Sequence, residues 1–213
     1  MVSTEIQEYI VQLRKPLPSY VTEMELYAKE HHVPIMDPVS MEAMLNILQL
    51  KKPKRILEIG TAIGYSAIRM ALSLPECEII TIERDEERFQ FAKQNIHKAG
   101  LTARIKVIEG DALEAAEEVK YEGPYDALFI DAAKGQYMRF HDTYAEHVQS
   151  GGIIISDNVL FRGLVAEEEV VEKRFRSMVK KLKQYNKFLM EHPDYSTTIY
   201  PIGDGIAVSI KEK

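Results

Sequence analysis

The chain has 213 residues, of which 46% are hydrophobic and 28% are charged, and its net charge is −6. This length suits one large domain with a sizeable core, and the acidic balance excludes a protein that coats nucleic acid with a wholly basic surface. The single cysteine excludes an internal disulfide and a cysteine-based zinc site, and no apolar run is long enough to span a membrane. We therefore expect a cytoplasmic protein with one domain, residues 1–213.

The first fifty residues predict a helical N-terminal extension to a core formed by residues 51–213. Helical stretches are expected near residues 3–13, 19–32 and 39–50, and prolines separate them. Such an extension can cover a ligand site or an oligomer interface, and the pattern does not choose between the two. The six histidines lack the spacing of a metal motif, so we expect each of them on a helix surface or in a loop.

From Lys54 onward, short β-type runs alternate with helical patterns. The β-type runs are RILEI, EIITI, RIKVIEG, YDALFI and GGIIIS, and the helical patterns between them are SAIRMALSL, DEERFQFAKQNIHKAG, ALEAAEEV and GQYMRFHDTYAEHV. Continuous apolar strands that alternate with helices predict a parallel sheet with helices on both faces. Gly100 and the pair Gly151 and Gly152 follow two of these helices, where left-handed C-caps are expected.

The pattern changes after Asp157. A basic helix is predicted over VEKRFRSMVKKLKQYNKFL, and the β-runs STTIYPI and IAVSIK then flank the turn GDG. Two β-runs joined by a short glycine-containing turn predict a hairpin. We therefore predict an α/β fold with a seven-stranded, mostly parallel sheet that ends in an antiparallel hairpin. On charge pattern alone, the basic helix is equally compatible with a solvated surface and with an RNA-phosphate contact surface.

Candidate ligand-binding residues follow the first three strands, at the edge where open parallel sheets bind ligands. Gly60 permits close backbone approach after the first strand, Glu83 is spaced to bind two ribose hydroxyls, and Asp111 can meet an adenine amine. Neither a dinucleotide glycine motif nor a P-loop is present. Together these residues predict a nucleoside pocket without a phosphate cradle, which favours S-adenosylmethionine over NAD or ATP. Taken singly, Glu83 could be a surface acid and Asp111 a helix cap.

Strands four and five run into oxygen-bearing side chains. Asp131 follows the fourth strand, and Asp157 and Asn158 follow the fifth. Two carboxylates and an amide at adjacent strand ends suit a hard cation such as Mg²⁺, and without a cation the two carboxylates would repel each other. The alternative is that Asp131 and Asp157 only cap the segments that follow them.

Six motifs occur in order and resemble those of the cation-dependent O-methyltransferases of the catechol and caffeoyl-coenzyme A group. They are LEIGTAIGYSAIRMA, TIERD, GDALE, LFIDAAKGQY, ISDNVLFRG and PIGDGIAVS. The resemblance covers most of the chain from residue 36 onward and implies a Rossmann-like methyltransferase fold. Within the family, the chain looks most similar to the members that methylate 5-hydroxyuridine in bacterial tRNA.

The resemblance implies a role for each matching residue. The positions that match cofactor-binding residues are Met36, Glu58, Gly60, Tyr65, Ser66, Glu83, Asp111, Ala112 and Asp131. The positions that match metal ligands are Asp131, Asp157 and Asn158. Lys134 matches the residue usually given the general-base role, and Asp131 is the second catalytic residue because it serves both metal and cofactor. The alternative for Lys134 is an electrostatic lysine that keeps its proton.

The acceptor must offer the metal two neighbouring oxygens, as both catechol and 5-hydroxyuridine do. The resemblance implies that members acting on catechols wall the acceptor with tryptophan, and this chain has none. Together with the basic helix and the segment KKPKR (51–55), this favours the tRNA anticodon loop, with 5-methoxyuridine as product. Tyr20, Tyr137 and Phe161 are candidates for stacking on a splayed base, although packing inside the protein is the favoured role for each. The alternatives are a small catechol-like or phenolic acceptor, and a non-catalytic RNA- or cofactor-binding module. The resemblance also implies a homodimer, with the N-terminal helices as contributors.

Overall fold

The secondary structure is taken from a computed structural model that describes residues 3–213. The helices are α1 (Thr4–Gln12), α2 (Ser19–Glu30), α3 (Pro38–Lys51), α4 (Tyr65–Ser73), α5 (Glu86–Lys98), α6 (Ala116–Glu122), α7 (Tyr137–Tyr144) and α8 (Lys173–Glu191). The strands are β1 (Arg55–Ile59), β2 (Glu78–Glu83), β3 (Ile105–Glu109), β4 (Tyr125–Ile130), β5 (Val148–Ser156), β6 (Tyr195–Tyr200) and β7 (Ile206–Lys211). The three N-terminal helices lie where the sequence predicts them.

The strands form one sheet in the order β3-β2-β1-β4-β5-β7-β6. Strands β1 to β5 pair in parallel, whereas β7 runs antiparallel to both of its neighbours, β5 and β6. Alternate residues of each parallel strand point to opposite faces, and two apolar clusters result. One cluster joins the sheet to α2, α3, α4 and α5, and the other joins it to α6, α7 and α8. The predicted fold class is therefore confirmed.

Two helices have different bounds in the structure from those predicted. The helix predicted over ALEAAEEV begins only at Ala116, because Asp111 accepts a hydrogen bond from the backbone amide of Leu113 (2.9 Å) and holds a turn there. Helix α7 ends at Tyr144 and a short 3-10 turn leads into β5, so Gly151 and Gly152 lie inside a strand. The prediction that they cap a helix is wrong.

Gly151 instead lies at an irregularity in the pairing of β4 with β5. Its φ of +74° lies in the left-handed region, and the pairing of β4 with β5 shifts register at this point. Glycine is the residue that accommodates such a bulge at least cost. Gly100, with φ of +70°, follows the end of α5 as predicted. Among residues 3–213, no helix combines the length and apolarity needed to cross a membrane.

His141 contradicts the expectation that every histidine lies on a surface or in a loop. It is only 4% exposed and packs edge-on against Phe188 and Tyr195, with ring centroids 4.9 and 5.3 Å away. Its Nε2 finds no hydrogen-bond partner within residues 3–213. Burial, with smaller contributions from His192 and Lys211, lowers the pKa of His141 to about 4. The imidazole is therefore neutral in the folded protein.

The buried neutral His141 predicts a pH-dependent contribution to stability. Between the ordinary histidine pKa of 6.5 and the folded value of about 4, the unfolded chain binds the proton more tightly, so stability is lost as the pH falls. Relative to His141→Phe, the wild-type free energy of unfolding should fall by about 2 kcal/mol from pH 7.5 to pH 5. Urea denaturation of both proteins at the two pH values measures this difference. A difference that does not change with pH would contradict the prediction.

Candidate active site

A cavity of about 490 Å³ lies at the carboxyl ends of strands β1 to β5. The loops that follow these strands form most of its wall, as the strand-end rule predicts. Residues of α4, α5 and α7 also contribute, and Pro34, Ile35 and Met36, which connect α2 to α3, add a further part of the wall. The N-terminal extension therefore covers part of this cavity, which is one of the two uses that its sequence allowed.

Gly60 lines the cavity, and the packing of the protein gives a second reason for glycine at this position. Its φ is +103°, and a Cβ at this position would lie 2.1 Å from the backbone carbonyl oxygen of Asp131. The space beside Gly60 is thus filled by the turn after β4. The backbone amides of Gly60 and Thr61 also donate to the carbonyl of Ile82, at 3.1 and 3.2 Å. The first loop of the cavity is therefore fixed to both neighbouring strands.

Glu83 lies at the end of β2, lines the cavity and is only 7% exposed. One of its carboxylate oxygens accepts from the backbone amide of Ala62 (2.8 Å) and the other from that of Asp85 (3.0 Å). Because each carboxylate oxygen can accept two hydrogen bonds, both retain capacity for ligand hydroxyls. The two amides therefore fix the orientation of the carboxylate.

Asp111, Ala112 and Met36 also line the cavity. Asp111 is half-buried, and its bond to Leu113 organises the turn before α6 without capping that helix. Arg84 lies beside it, with a nitrogen 3.9 Å from Oδ2. Ala112 and Met36 are buried, so they offer apolar surface at the same end of the cavity. These residues give the cavity a carboxylate next to apolar surface.

Glu58 does not line the cavity, although the resemblance assigns it to the cofactor. It is fully buried on β1, where one carboxylate oxygen accepts from the hydroxyl of Ser66 and the other from that of Thr81 (2.6 Å). The hydroxyl of Thr81 also contacts that of Thr61 (2.6 Å), and Thr61 and Ser66 do line the cavity. Glu58 thus lies one side chain behind the wall.

Burial raises the pKa of Glu58 to about 7, and the nearby Asp131 and Glu83 carboxylates act in the same direction. The hydroxyls of Ser66 and Thr81 oppose this rise because they hydrogen-bond to the carboxylate. The sequence reasoning missed Thr61 and Thr81. The sequence does mark Thr81 as unusual, because it is a lone polar residue in an apolar run. The structure pairs Thr81 with Glu58 across the sheet.

Tyr65 begins α4, and its hydroxyl is engaged with the N-terminal extension. It donates to Glu25 on α2 (2.6 Å) and accepts from Arg69 (3.0 Å), while Arg14 donates to the same Glu25 carboxylate (3.1 Å). Arg69 also pairs with Glu42 on α3 (2.6 Å). This cluster of five residues ties α2 and α3 to the helix that follows the first cavity loop. Of the five, sequence reasoning had identified only Tyr65.

Asp131 and Asp157 lie side by side, because they follow Ile130 and Ser156, which pair across β4 and β5. Asp157 is almost fully buried, and its Oδ1 accepts from the backbone amide of Asn158 (2.7 Å). Burial raises the pKa of both aspartates, and for Asp157 the charge of Asp131 adds to the rise.

Asp131, Asp157 and Asn158 all line the cavity, which gives its β4–β5 end two carboxylates and an amide. No group of three or more His, Cys, Asp or Glu side chains placed to hold a metal occurs in residues 3–213, so an amide would be needed as the third ligand. Crowded carboxylates with excess negative charge fit a hard divalent cation, which would relieve their repulsion. The donor set therefore suits Mg²⁺.

Lys134 lines the cavity at the same end. It is half-buried at the start of a 3-10 turn (Lys134–Gln136), and its charge counters the rise in the pKa of Asp131. Helix α8 packs against this turn, and a Cβ on Gly135 would lie 3.8 Å from Nζ of Lys181. The basic face of α8 therefore reaches the neighbourhood of the cavity.

The other residues predicted to contact nucleic acid lie in different environments. Tyr137 is buried and donates to the backbone carbonyl of Asp157 (3.0 Å), so its ring packs inside the protein and cannot stack on a base. Tyr20 packs against the core, whereas Phe161 is half-buried near Phe175 of α8, with ring centroids 5.3 Å apart. The segment KKPKR leads into the beginning of β1, at the sheet edge opposite the cavity.

The loop after Asp157 is held in an unusual backbone conformation. Asn158, Phe161 and Arg162 all have positive φ, between 39° and 56°. The turn between β6 and β7 fixes this loop, since the carbonyls of Gly205 and Asp204 accept from the amides of residues 159, 160 and 161. The motif PIGDG thus positions the wall next to the two aspartates, a role that sequence reasoning did not assign.

The family model and the relatives that match this sequence all carry methyltransferase descriptions. The sequence model of a family described as O-methyltransferase matches residues 5–212. A flavonoid 3',5'-methyltransferase from Vitis vinifera is 33% identical over an alignment of 202 positions that covers 91% of this chain and 84% of that protein. A caffeoyl-CoA O-methyltransferase from Stellaria longipes is 32% identical over an alignment of 196 positions that covers 88% of this chain and 81% of that protein.

Solved structures agree with the sequence comparisons. A candidate caffeoyl-CoA O-methyltransferase from Staphylococcus aureus superposes with a TM-score of 0.91 at 37% identity, covering 96% of this chain and 98% of that one. An O-methyltransferase from Bacillus cereus, solved in complex with SAH (S-adenosylhomocysteine), gives a TM-score of 0.86 at 25% identity, covering 98% of each chain.

Proposed function

Because this chain belongs to the O-methyltransferase family, we propose that it transfers the methyl group of S-adenosylmethionine to a hydroxyl oxygen in the presence of a divalent cation. The observation that carries the proposal is the composition of one cavity. Glu83 and Asp111 lie at one end, and Asp131, Asp157, Asn158 and Lys134 lie at the other. A nucleoside and a chelated hydroxyl can therefore occupy the same cavity.

The residues at the β1–β3 end would hold S-adenosylmethionine. Glu83 would accept hydrogen bonds from the ribose hydroxyls, Asp111 would accept from the adenine amine, and Met36 and Ala112 would contact the ring. The complex of the Bacillus cereus relative with SAH supports this ligand class. Gly60, Tyr65 and Ser66 would surround the methionine end, with Glu58 behind them.

The residues at the β4–β5 end would hold the cation and the acceptor. When bound, S-adenosylmethionine supplies an electrophilic methyl group, and a divalent cation supplies positive charge that favours ionisation of the acceptor hydroxyl. Asp131, Asp157 and Asn158 would hold the cation, and Nζ of Lys134 would take the hydroxyl proton. The fixed loops on either side orient the two reactants, which is a large source of acceleration in a two-substrate reaction.

For the acceptor, we propose 5-hydroxyuridine in the tRNA anticodon loop, converted to 5-methoxyuridine. The support is the basic face of α8, which reaches the turn beside the cavity through Lys181. On this helix, Lys173, Lys180 and Lys181 form no salt bridge within residues 3–213. Arg162, exposed on the loop after Asn158, adds a cation. Such side chains can bind phosphates while a splayed base enters the pocket.

A small phenolic acceptor is the second candidate, and the names of the plant relatives favour it. The Vitis vinifera protein is a flavonoid methyltransferase and the Stellaria longipes protein acts on caffeoyl-CoA by name. Both acceptor classes offer neighbouring oxygens, so the cation site serves either. The two candidates differ in whether cations outside the cavity contribute to substrate binding.

Charge reversal on α8 separates the two candidates. With labelled S-adenosylmethionine and Mg²⁺, the protein should methylate tRNA that contains 5-hydroxyuridine at least about 100-fold more efficiently than catechol or caffeoyl-CoA. Lys181→Glu should raise KM for tRNA by about tenfold, with a weaker salt dependence, and leave phenol turnover unchanged. Lys52→Glu, at the opposite sheet edge, is the matched control. Methylation of the phenols without methylation of the tRNA would establish the second candidate instead.

We also propose a homodimer, because α1 exposes an apolar stripe. Ile6, Tyr9, Ile10 and Leu13 recur at helical spacing, and Tyr9 and Leu13 are 62% and 66% exposed. A second copy of the chain would bury this stripe. Light scattering should give twice the chain mass for the wild type and less for Tyr9→Glu, and a monomeric mass for the wild type would refute the proposal.

A further inference from the structure

Glu58 is a buried acid that the proposed reaction does not use. Both of its oxygens accept from hydroxyls, those of Ser66 and Thr81. It forms no salt bridge with a lysine, arginine or histidine in the described part of the chain. Hydroxyl groups orient a buried carboxylate but do not neutralise it. Because burial raises the pKa of Glu58 to about 7, this acid is only partly ionised near neutral pH, and it has no ion-pair partner beneath the cavity wall among residues 3–213.

The missing positive charge can come from the cavity. Ser66 contacts Glu58 directly, Thr61 contacts it through Thr81, and both Ser66 and Thr61 line the cavity. A ligand at this wall would therefore be separated from the carboxylate by a single layer of side chains. Water is excluded from that layer, because Glu58 and Thr81 are completely buried and Thr61 nearly so. Charges interact strongly over such a distance when little water lies between them.

The other acids of the cavity have partners of their own. Asp131 and Asp157 would share the charge of the cation, and Glu83 receives two backbone amides. Asp111 is half-exposed and lies near Arg84. Glu58 is therefore the acid of this cavity whose charge depends most on the ligand that occupies it.

We propose that Glu58 is a specificity-determining residue that favours the sulfonium form of the methyl donor over the neutral thioether product, without touching either. The inference rests on the proposed function, in which S-adenosylmethionine binds against Ser66 and Thr61. Methyl transfer removes the positive charge from the sulfur, so the attraction to Glu58 is lost at that moment. The loss of this attraction weakens the hold on the product by comparison with a site without Glu58, which favours product release.

The test is the ratio of two dissociation constants, measured by titration calorimetry with Mg²⁺ present. In Glu58→Gln, which keeps the shape and most of the hydrogen bonding, the Kd for S-adenosylmethionine should rise about tenfold, and the Kd for S-adenosylhomocysteine should change less than about threefold. Glu58→Asp keeps the charge and should retain most of the wild-type ratio. Thr81→Val removes a hydrogen bond but no charge, and should affect both ligands alike.

Two other results would overturn the inference, and they are distinguishable. If Glu58→Gln weakens both ligands by the same factor, Glu58 only positions the loop, and the proposed function is unaffected. If the wild-type protein binds neither ligand, the proposed function fails and the inference fails with it. Circular dichroism of each variant separates loss of binding from loss of the fold.

Discussion

Replacing Asp157 by Asn is expected to abolish methyl transfer and, at the same time, to make the metal-free protein harder to unfold. Asp157 is almost completely buried, and the neighbouring Asp131 raises its pKa further by repulsion. Asparagine keeps the shape and can still accept from the amide of Asn158, but it removes one of the two negative charges. We expect turnover to fall more than about 100-fold, because a cation ligand is lost. The free energy of unfolding without metal should rise by about 1 kcal/mol.

Turnover is expected to fall while the free energy of unfolding rises, and these opposite changes make the prediction easy to test. Urea denaturation in the presence of a chelator measures stability, and turnover with saturating Mg²⁺ measures activity. Lys134→Met is the companion variant, since it should lose turnover while it retains binding of both Mn²⁺ and the methyl donor. If Asp157→Asn loses both activity and stability, its carboxylate is part of the fold and the proposed cation site is wrong.

Replacing Gly60 by Ala is expected to have the largest effect on structure. A Cβ there would lie 2.1 Å from the Asp131 carbonyl oxygen, so the ends of β1 and β4 must move apart. The left-handed φ of +103° adds backbone strain. Gly100→Ala is the matched control, because Gly100 also has a positive φ, but within residues 3–213 no atom beyond its chain neighbours lies within 4 Å of the added Cβ.

Comparing the two glycine variants isolates the cost of the collision. Gly100→Ala should lower the free energy of unfolding by about 1 kcal/mol, which is the ordinary cost of a left-handed alanine. Gly60→Ala should lower it by at least about 2 kcal/mol more, and should weaken binding of both the methyl donor and the cation. Equal losses in the two variants would mean that the turn after β4 adapts freely and does not depend on Gly60.

The fold and most of the cavity could be predicted because they depend on local patterns. Apolar runs that alternate with helices specify a parallel sheet, and a parallel sheet brings the residues after its strands to one edge. Glu83, Asp131 and Asp157 therefore converge as predicted, although their roles in binding stay predictions. The hairpin and the cap at Gly100 follow from equally local signals.

The remaining features depend on contacts between distant residues. The carboxylate of Glu25 meets the hydroxyl of Tyr65 across 40 positions, and no periodicity in the sequence connects them. The reason for Gly60 lies in the backbone of Asp131, on another strand. His141 is different, because it continues the buried stripe of Tyr137, Phe140 and Tyr144 on α7, and that spacing could have indicated its burial.

The sheet order also constrains how the protein can be made. β7 pairs directly with β5, although about fifty residues separate them in the sequence, including the whole of α8 and β6. A nascent chain that has not reached residue 206 therefore leaves the hydrogen-bonding edge of β5 open, directly beside Asp157. An open apolar edge is a site for pairing with other chains, and contacts of such long range form slowly. During synthesis, we expect β5 to need shielding, for example by a chaperone, until β7 has been made.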